Sequence, residues 1–331
     1  MVEHKGPFFS VVIPTRNRPS LFCEALSSVL QQSFSDKEVI VVCDCIDDEM
    51  QEKYRQLESE YPAVTFYFLP HRLRGIGPGY SRNYGAEQAK GQYLCFLDDD
   101  DYWCDKSHLE VAHQSLSLEP GTVDIYLTNQ DAYLPNGDKL NENIWLSSLT
   151  SYLGDTAPNQ FGAYRIKSLD PLIKCGGFAH INCSIYCNDF FKQIGGIDEN
   201  LIYEEDRDLF LRAIDSARAI LFNPKVISHH RIPDRSKKHN ASTQIDDLQK
   251  RLSQLASFEK NLLLAKAPEI HIHCNKRKGF ILKNIAVTLH TCGRKKLAAS
   301  YARQALVVTP TLKWFFYTGY LNIISLFSLT D

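Results

Sequence analysis

Short apolar runs and helical patterns alternate through the first hundred residues of the chain. The apolar runs occupy residues 8–13, 39–43, 64–69 and 93–97, and the helical patterns occupy 21–30, 49–61 and 80–90. Runs without polar alternation are typical of strands buried on both faces, and helices between them indicate a parallel sheet with right-handed crossovers. We therefore predict an α/β fold in which helices flank a mostly parallel sheet.

The pattern becomes looser after residue 105. The sequence predicts a helix to about residue 118, a strand at 123–128, a turn at Asn136-Gly137, a strand at 181–186, a helix at 204–213 and a strand at 221–228. The stretch 140–174 is irregular, and a stretch of that length is more often functional than a plain connector. From residue 243 onward the pattern is helical.

Polar side chains follow three of the predicted strands at the point where each strand ends. The first run is followed by Pro14-Thr15-Arg16-Asn17, the second by Asp44, and the fourth by Asp98-Asp99-Asp100-Asp101. Ligands bind at the carboxyl ends of the strands in sheets of this kind. We therefore expect the three groups to lie at one edge of one sheet.

The four consecutive aspartates, Asp98–Asp101, are called the acidic cluster below. They need a compensating charge, because carboxylates at close range repel each other. A bound divalent cation would relieve the repulsion. Oxygen ligands suit Mg²⁺ or Mn²⁺, which also take oxygens from a substrate diphosphate. A solvated acidic turn or a helix N-cap would use the same residue type. The position at the predicted sheet edge favours the metal site.

A second acidic group, Tyr203-Glu204-Glu205-Asp206, precedes a helical pattern. Acidic residues in a first helical turn stabilise the helix through its dipole. A carboxylate that accepts the proton of a substrate hydroxyl would have the same sequence signature. The residues alone leave both interpretations open.

Four sequence blocks together resemble the family 2 glycosyltransferases of the GT-A fold. The blocks occur in the family's order: SVVIPTRNR, VVCDCIDD, GYSRNYGAEQAKGQYLCFLDDDDYW and GGIDENLIYEEDRDLFLRA. The resemblance covers about residues 9–231 and implies a GT-A-type, Rossmann-like sheet. We accordingly divide the chain into a catalytic domain at 1–235 and a basic helical region at 236–331. The catalytic domain would have a nucleotide-sugar half at about 1–105 and an acceptor half at about 106–235.

The resemblance implies a donor site at the sheet edge. Pro14 and Thr15 would line the nucleotide pocket, Asp44 would meet the base, and Arg82 would sit beside the acidic cluster. Asp98 would face the ribose. The predicted nucleotide-sugar-binding residues are Pro14, Thr15, Asn17, Asp44, Arg82, Asp98 and Asp99.

The resemblance also implies a metal site and a catalytic base. Asp98 and Asp100 would form an Asp-X-Asp motif with Asp100 on the metal, while Asp99 and Asp101 would be supporting or solvated. His229 or His230 would be a further metal or diphosphate contact, and His230 is the predicted ligand. Asp206 would be the catalytic base.

At one place the chain departs from the family pattern. Asp-Asp-Gly-Ser commonly follows the second strand in the family, whereas Cys43-Asp44-Cys45-Ile46 stands here. One acid is missing and the glycine turn is replaced, which bears on the nucleotide base rather than on the fold. Uracil is the base that the resemblance implies.

The implied activity is an inverting, metal-dependent transfer of a sugar from a UDP-linked donor to a glycan or lipid-linked acceptor. Cell-surface polysaccharide or lipopolysaccharide synthesis is the expected setting. The acceptor would lie over residues 140–178, where Trp145, Tyr152, Phe161 and Tyr164 would stack on sugar faces or fill a small core. Two alternatives are a non-catalytic nucleotide-sugar-binding module and a sugar-phosphate nucleotidylyltransferase. The second would need a glycine-rich basic loop after the first strand, which this chain lacks.

The formal net charge of −2 hides a strong asymmetry. Residues 270–330 contain nine Lys and Arg residues and no Asp or Glu, so the rest of the chain is acidic. Such a region indicates an interaction surface. We expect peripheral membrane contact through these basic helices and no nucleic-acid partner. The apolar run at 312–329 would be buried, lie in the membrane interface or span the bilayer.

The ten cysteines form no CxxC pair, which favours reduced thiols. The chain opens without the pattern of a signal peptide. We therefore expect a cytoplasmic protein, at the inner face of the membrane where the basic helices contact lipid.

Overall fold

A nine-stranded sheet organises the larger part of the protein. The structure, a computed structural model, describes residues 6–44, 47–70, 76–140, 145–234 and 241–327. The strands are β1 Phe9–Thr15, β2 Lys37–Cys43, β3 Thr65–Phe68, β4 Tyr93–Phe96, β5 Tyr102–Trp103, β6 Ile125–Tyr133, β7 Tyr164–Ile166, β8 Ser184–Cys187 and β9 Ile220–Arg231. The helices are α1 Pro19–Leu30, α2 Asp48–Glu60, α3 Pro78–Gln88, α4 His108–Ser117, α5 Asp170–Lys174, α6 Asn188–Gln193, α7 Glu205–Ser216, α8 Ala241–Gln244, α9 Asp247–Leu264, α10 Pro268–Thr291, α11 Lys295–Val308 and α12 Leu312–Leu326.

The strand order in the sheet is β3-β2-β1-β4-β8-β6-β9-β5, and β7 pairs with β9. The β1–β2, β2–β3, β1–β4 and β6–β9 pairs are parallel, whereas β8 runs antiparallel to both β4 and β6. The carboxyl ends of β1, β2, β4, β6 and β9 therefore point to the same edge. The prediction of a mostly parallel sheet flanked by helices is confirmed.

The sequence of the first half explains why helix α3 lies so close to the sheet. Strands β1 and β4 are buried along their whole length, as their unbroken apolar runs predict. A Cβ atom at Gly85 of α3 would lie 2.4 Å from a methyl group of Val12 and 3.2 Å from one of Val42. Glycine is therefore required for this close approach, and it brings the preceding turn of α3 to the carboxyl edge of the sheet.

The looser middle of the chain differs in detail from its prediction. The segment predicted as a strand at 181–186 begins as a 3₁₀ turn, Ile181–Cys183, and becomes extended only at Ser184. The cause is local, because the ring of His180 accepts the backbone N–H of Asn182 and closes the turn. The described part of the stretch 140–174 contains β7, α5 and a 3₁₀ turn, Leu149–Tyr152. The turn at Asn136-Gly137 is confirmed by the bridge between Tyr133 and Lys139.

The chain divides into two compact units. One covers the described residues of 1–200 and 205–234, and the other covers those of 201–204 and 235–331. In the second unit, α10 packs against α9 and α11, and α11 packs against α12. The predicted helical C-terminal region is confirmed. No helix within the described residues has both the length and the apolar character needed to cross a bilayer.

Candidate active site

The carboxyl ends of β2, β1 and β4 lie side by side, as adjacent parallel strands require. Thr15 ends β1, Asp44 follows β2, and Asp98 follows β4 after one residue. The pairing of β1 with β4 ends at Val12. Pro14 lies beyond that point and is paired only with Val42 of β2. Its missing N–H therefore costs no hydrogen bond to β4. The three polar groups that the sequence predicts at one sheet edge do meet there.

A directed chain of hydrogen bonds connects the end of β1 to Asp99. The Thr15 hydroxyl donates to Asp99 Oδ2 at 2.7 Å, so the Tyr54 hydroxyl, also 2.7 Å from Thr15, is the donor to Thr15. The backbone N–H of Arg18 donates to Tyr54, and that of Arg16 donates to Asp99. Burial raises the pKa of Asp99 to about 7, although Arg18 lowers it. Asp99 is thus a buried connector between two loops.

Arg18 holds two neighbouring carboxylates of the acidic cluster. Its Nη2 lies 2.5 Å from Asp99 Oδ1, and its Nη1 lies 2.6 Å from Asp100 Oδ2. Asn17, directly before it, has a φ of 54°, a left-handed conformation that asparagine tolerates better than most residues. The turn after β1 therefore directs a cation at the cluster, which reduces the repulsion between its aspartates.

Asp44 lies at the N-terminus of α3. Its Oδ2 accepts the backbone N–H groups of Ile76 at 2.8 Å and Gly77 at 3.3 Å. The other oxygen, Oδ1, is buried and accepts no hydrogen bond from the described residues. A buried acceptor of this kind fits a ligand that supplies an N–H group.

Arg82 on α3 joins the acidic cluster to the start of α7. Its Nη2 donates to Asp98 Oδ1 at 2.5 Å, and its Nη1 donates to Glu205 Oε1 at 3.2 Å. Burial raises the pKa of Asp98, but Arg82 and nearby histidines outweigh that effect and hold the pKa below its usual value. Burial raises the pKa of Glu205 to about 7, although Arg82 lowers it. One buried cation therefore serves two carboxylates from distant parts of the chain.

Asp101 is fully buried and receives three hydrogen bonds. Its Oδ2 lies 2.6 Å from Asn182 Nδ2 and 2.8 Å from His230 Nδ1, and its Oδ1 accepts the backbone N–H of Arg231 at 2.7 Å. These bonds connect the acidic cluster to the end of β9. Asp99 and Asp101 are both buried, which excludes the solvated alternative for these two residues and leaves the supporting one.

His180 lies between His230 and Asp206. Its ring centroid is 5.0 Å from that of His230, and its Nε2 is 3.9 Å from Asp206 Oδ2. Since the backbone N–H of Asn182 donates to His180 Nδ1 at 3.3 Å, the proton of the neutral ring resides on Nε2, which faces Asp206. Asp206 lies in the first turn of α7 and accepts the N–H of Arg207.

The two histidines have opposite pKa shifts. Burial and the neighbouring His230 lower the pKa of His180 to about 4. Burial also lowers the pKa of His230, but three aspartates of the cluster, Asp101 above all, outweigh it and raise the pKa to about 9. At neutral pH, His230 is therefore charged and paired with Asp101, while His180 is neutral.

Adjacent histidines on β9 point to opposite faces of the sheet, as residues of a strand do. The Nδ1 atom of His229 lies 2.5 Å from the Tyr102 hydroxyl, and its ring lies 4.6 Å from that of Tyr133. His229 lines a separate cavity of about 690 Å³ together with Tyr102 and Trp103. Of the two histidines, only His230 faces the acidic cluster.

Trp145, in the 140–178 stretch, lies beside the two histidines His180 and His230. Its ring lies 5.4 Å from that of His230 and 6.0 Å from that of His180. Its φ of 46° is rare for a bulky residue, and a Cβ at Gly177 would lie 1.6 Å from its carbonyl oxygen. Tyr164 instead pairs with Phe222, near the other end of β9 and roughly 25 Å along the strand from His230.

The sequence profile described as Glycosyl transferase family 2 matches residues 10–186, more than half of the chain. The chain belongs to this family. The matched range includes the ends of β1, β2 and β4, where Thr15, Asp44 and Asp98 lie. The protein is therefore a glycosyltransferase, as the four sequence blocks predict.

Two relatives show how far the similarity of this glycosyltransferase extends. An uncharacterized glycosyltransferase of Rickettsia typhi is 27% identical over 247 residues, which cover 73% of this chain and 69% of that protein. The GalNAc(5)-diNAcBac-PP-undecaprenol β-1,3-glucosyltransferase of Campylobacter jejuni is 37% identical over 95 residues. That alignment spans 29% of this chain and 30% of the Campylobacter protein.

Residues 1–349 of TarS from Staphylococcus aureus, solved in complex with UDP-GlcNAc, have a similar fold. The superposition has a TM-score of 0.66 at 20% identity and covers 91% of this chain and 81% of the other. The glycosyltransferase therefore has the GT-A fold that its sequence predicts.

Three side chains of the glycosyltransferase could hold a metal ion together. Asp101, His180 and His230 each offer one ligand atom, and these atoms lie within 4.8 Å of one another. Carboxylates suit Mg²⁺ and Mn²⁺, and imidazole suits transition metals, so this mixed donor set fits Mn²⁺ better than Mg²⁺. Within the described residues, Asp100 is outside this group and its carboxylate pairs with Arg18. The role of Asp100 as a metal ligand stays a prediction.

The sequence patterns do not single out Arg18, His180 or Asn182. Arg18 could have been predicted from sequence, since an arginine in the turn after β1 lies at the same sheet edge as four aspartates. His180 and Asn182 precede β8 rather than follow a parallel strand. They reach the site because β8 runs antiparallel to β4, a pairing that local sequence does not reveal.

Proposed function

We propose that this glycosyltransferase transfers a sugar from a UDP-linked donor to a glycan or lipid-linked saccharide, with inversion at the anomeric carbon. The observation that carries the proposal is the linkage of two carboxylate groups through Arg82. Arg82 contacts Asp98 in the acidic cluster and Glu205 beside Asp206. This arrangement fits a donor-binding carboxylate and a base placed on either side of a reacting carbon, because in-line displacement depends on the fixed relative position of the reacting groups.

The donor would lie along the carboxyl ends of β2, β1 and β4. The buried Oδ1 of Asp44 would accept an N–H of the base, which a uracil ring offers. Pro14, Thr15 and Asn17 would line the nucleotide pocket, and Asp98 would face the ribose. Asp99 would contribute by holding the loops after β1 and β4 together. The complex of TarS with UDP-GlcNAc supports a UDP-linked donor.

A divalent cation fits the acidic cluster, with Asp100 and His230 as its proposed ligands and with Asp101 and His180 beside them. When bound, Mn²⁺ or Mg²⁺ would neutralise charge on the diphosphate leaving group. The charged His230 must lose its proton to become a ligand. Asp101, which pairs with it, would then orient the neutral ring.

Asp206 would accept the proton of the acceptor hydroxyl during in-line attack on the anomeric carbon. Its carboxylate is partly exposed, at 18% of the side chain, and lies in the first turn of α7. The Nε2 proton of His180 faces this carboxylate and would keep it oriented. Arg82 would hold Glu205, and with it the first turn of α7, at a fixed distance from the donor site.

The acceptor would approach over Trp145, whose ring lies beside His180 and His230. A saccharide stacked on this indole would lie next to Asp206. The name of the Campylobacter relative, which includes a polyprenyl diphosphate, supports a lipid-linked acceptor. Polysaccharide or lipopolysaccharide assembly in the cytoplasm, at the inner face of the membrane, follows from such an acceptor. We propose residues 1–235 as the catalytic domain and 236–331 as a membrane-directed region.

A thermal-shift screen of UDP, GDP, ADP and their sugar conjugates, with and without Mn²⁺, tests this function. A ligand that binds the folded state raises the melting temperature. Of the three nucleotide series, we expect only UDP and its sugar conjugates to raise the melting temperature, and to raise it more strongly with Mn²⁺. We also expect the wild-type protein with Mn²⁺ to hydrolyse or transfer one UDP-sugar. Binding without any turnover would instead indicate a non-catalytic nucleotide-sugar-binding module. No response to any uridine nucleotide would contradict the donor assignment.

A further inference from the structure

The outward face of helix α12 is apolar and exposed. The helix packs on its neighbours through Trp314, Thr318 and Leu321, which are buried. At about 100° per residue, the opposite side of the helix carries large apolar side chains and no charge. Seven of these side chains, from 49% to 80% exposed, form what we call the α12 apolar face: Leu312, Phe315, Phe316, Tyr320, Ile323, Leu326 and Phe327.

Cations border the α12 apolar face on both sides. Lys313 is exposed on the helix itself, next to the edge that Tyr320 occupies. Arg303 of α11 donates to Asn322 Oδ1 at 2.5 Å, on the opposite edge. Beneath the helix, Lys283 Nζ lies 5.4 Å from the centroid of the Trp314 ring. The sequence from 270 to 330 has no acidic residue to offset these charges.

We propose that the α12 apolar face is a peripheral membrane-binding surface that takes an anionic lipid bilayer. An amphipathic helix binds in the interface plane when its apolar side enters the acyl boundary and its flanking cations meet anionic headgroups. Both sides of α12 are apolar. One side packs on α11, and the other is the exposed face that would enter the bilayer.

A second copy of the chain fits this face less well than a bilayer does. A two-fold interface places the same patch of each copy against the other. Such an interface through α12 would place the cationic edges of the two copies, with Lys313 and Arg303, near each other, and within the described residues neither α11 nor α12 has a carboxylate to pair with them. Anionic headgroups provide the missing negative charge.

Co-sedimentation of the full chain with lipid vesicles tests the proposal. The probes are vesicles of phosphatidylcholine alone and vesicles that also contain about one third phosphatidylglycerol. We expect the chain to sediment with the anionic vesicles and to remain largely in solution with the neutral ones. Raising the salt concentration to about 1 M should release part of the bound protein, because salt screens the headgroup charge.

Two double variants separate the apolar and the charged contributions. Phe315→Ser with Phe316→Ser should lower the partition coefficient at least about tenfold. Arg303→Glu with Lys313→Glu should abolish the preference for anionic vesicles. The matched controls replace exposed residues of the sheet unit, Leu30→Ser with Leu118→Ser for the first pair and Lys90→Glu with Lys192→Glu for the second. Both control proteins should sediment like wild type.

Several outcomes would overturn the proposal. These are a wild-type chain that stays in solution with anionic vesicles, equal sedimentation with both vesicle types, or control variants that bind as weakly as the α12 variants. Loss of self-association without loss of vesicle binding in the Phe315 and Phe316 variant would assign the face to a second copy. Circular dichroism and UDP binding of each variant report separately on folding and on the proposed donor site, which this proposal does not require.

Discussion

The guanidinium group of Arg82 lies 2.5 Å from a carboxylate oxygen of Asp98. Arg82 belongs to α3 and Asp98 follows β4, so this ion pair fixes the helix against the acidic cluster. The other end of the guanidinium group reaches Glu205, the residue before Asp206. The proposed donor site and the proposed base are thereby connected through one buried side chain.

Arg82→Met should destabilise the fold strongly. The substitution leaves two carboxylates, Asp98 and Glu205, which are only 18% and 17% exposed, without their cation. Breaking one side of a buried ion pair typically costs about 3–5 kcal/mol. Urea denaturation at neutral pH measures the loss. Arg55→Met is the matched control, because Arg55 pairs with Glu58 on the exposed side of α2, and it should cost less than about 1 kcal/mol. Equal losses in the two variants would contradict the buried linkage.

Tyr54→Phe should also lower the free energy of unfolding. The hydroxyl of Tyr54 donates to Thr15 and accepts the N–H of Arg18. Its removal leaves the buried Thr15 hydroxyl oxygen without its donor and the partly buried N–H of Arg18 without its acceptor, which costs about 1–3 kcal/mol. The control Tyr152→Phe removes a hydroxyl from a side chain that is 44% exposed and should change the free energy of unfolding little. If both variants unfold at the same urea concentration as wild type, the directed chain from Tyr54 to Asp99 does not stabilise the fold.

His108 at the start of α4 should make the fold sensitive to mild acid. Burial lowers the pKa of His108 to about 4, and the ring is 2% exposed. The native state keeps this ring neutral, while the unfolded chain takes up a proton below about pH 6.5. The stability is therefore complete above pH 6.5 and falls as the pH decreases toward 4, by about 3 kcal/mol.

His108→Leu removes this contribution to the pH dependence. The free energy of unfolding, measured at several pH values from 7 to 4, should fall less steeply for the variant than for wild type. His271→Gln, at an exposed position of α10, is the control and should follow the wild-type curve. A variant curve parallel to that of wild type would show that His108 does not resist protonation.

The sheet edge could be predicted from sequence, because unbroken apolar runs identify buried strands and the residues that follow them are local in the chain. Thr15, Asp44 and Asp98 could be predicted as site residues for that reason. The position of His180 depends on the antiparallel insertion of β8 between β4 and β6, and that pairing is decided by packing between distant segments. The choice between His229 and His230 likewise depends on which face of β9 meets Asp101, which requires the register of the whole sheet.

Gly177→Ala should impair the acceptor site and leave the donor site intact. The added Cβ would lie 1.6 Å from the carbonyl oxygen of Trp145, so the backbone of Trp145 must move. We expect the KM for the acceptor to rise at least about tenfold, because a displaced indole no longer stacks on the saccharide. UDP binding should stay unchanged. Gly121→Ala is the control, since a Cβ there meets nothing within 4 Å. An unchanged KM for the acceptor would show that Trp145 does not contribute to acceptor binding.

The exchange of Asp206 for asparagine is the sharpest test of the proposed transfer reaction, because it removes the proposed base and keeps the shape of the side chain. Sugar transfer and the binding of the UDP-sugar are measured on the same protein, with Asp189→Asn on the exposed side of α6 as the control. We predict that Asp206→Asn lowers kcat by about 10²–10⁴ while UDP-sugar affinity stays within about threefold. Transfer at the wild-type rate, or loss of donor binding in parallel with transfer, would contradict this prediction.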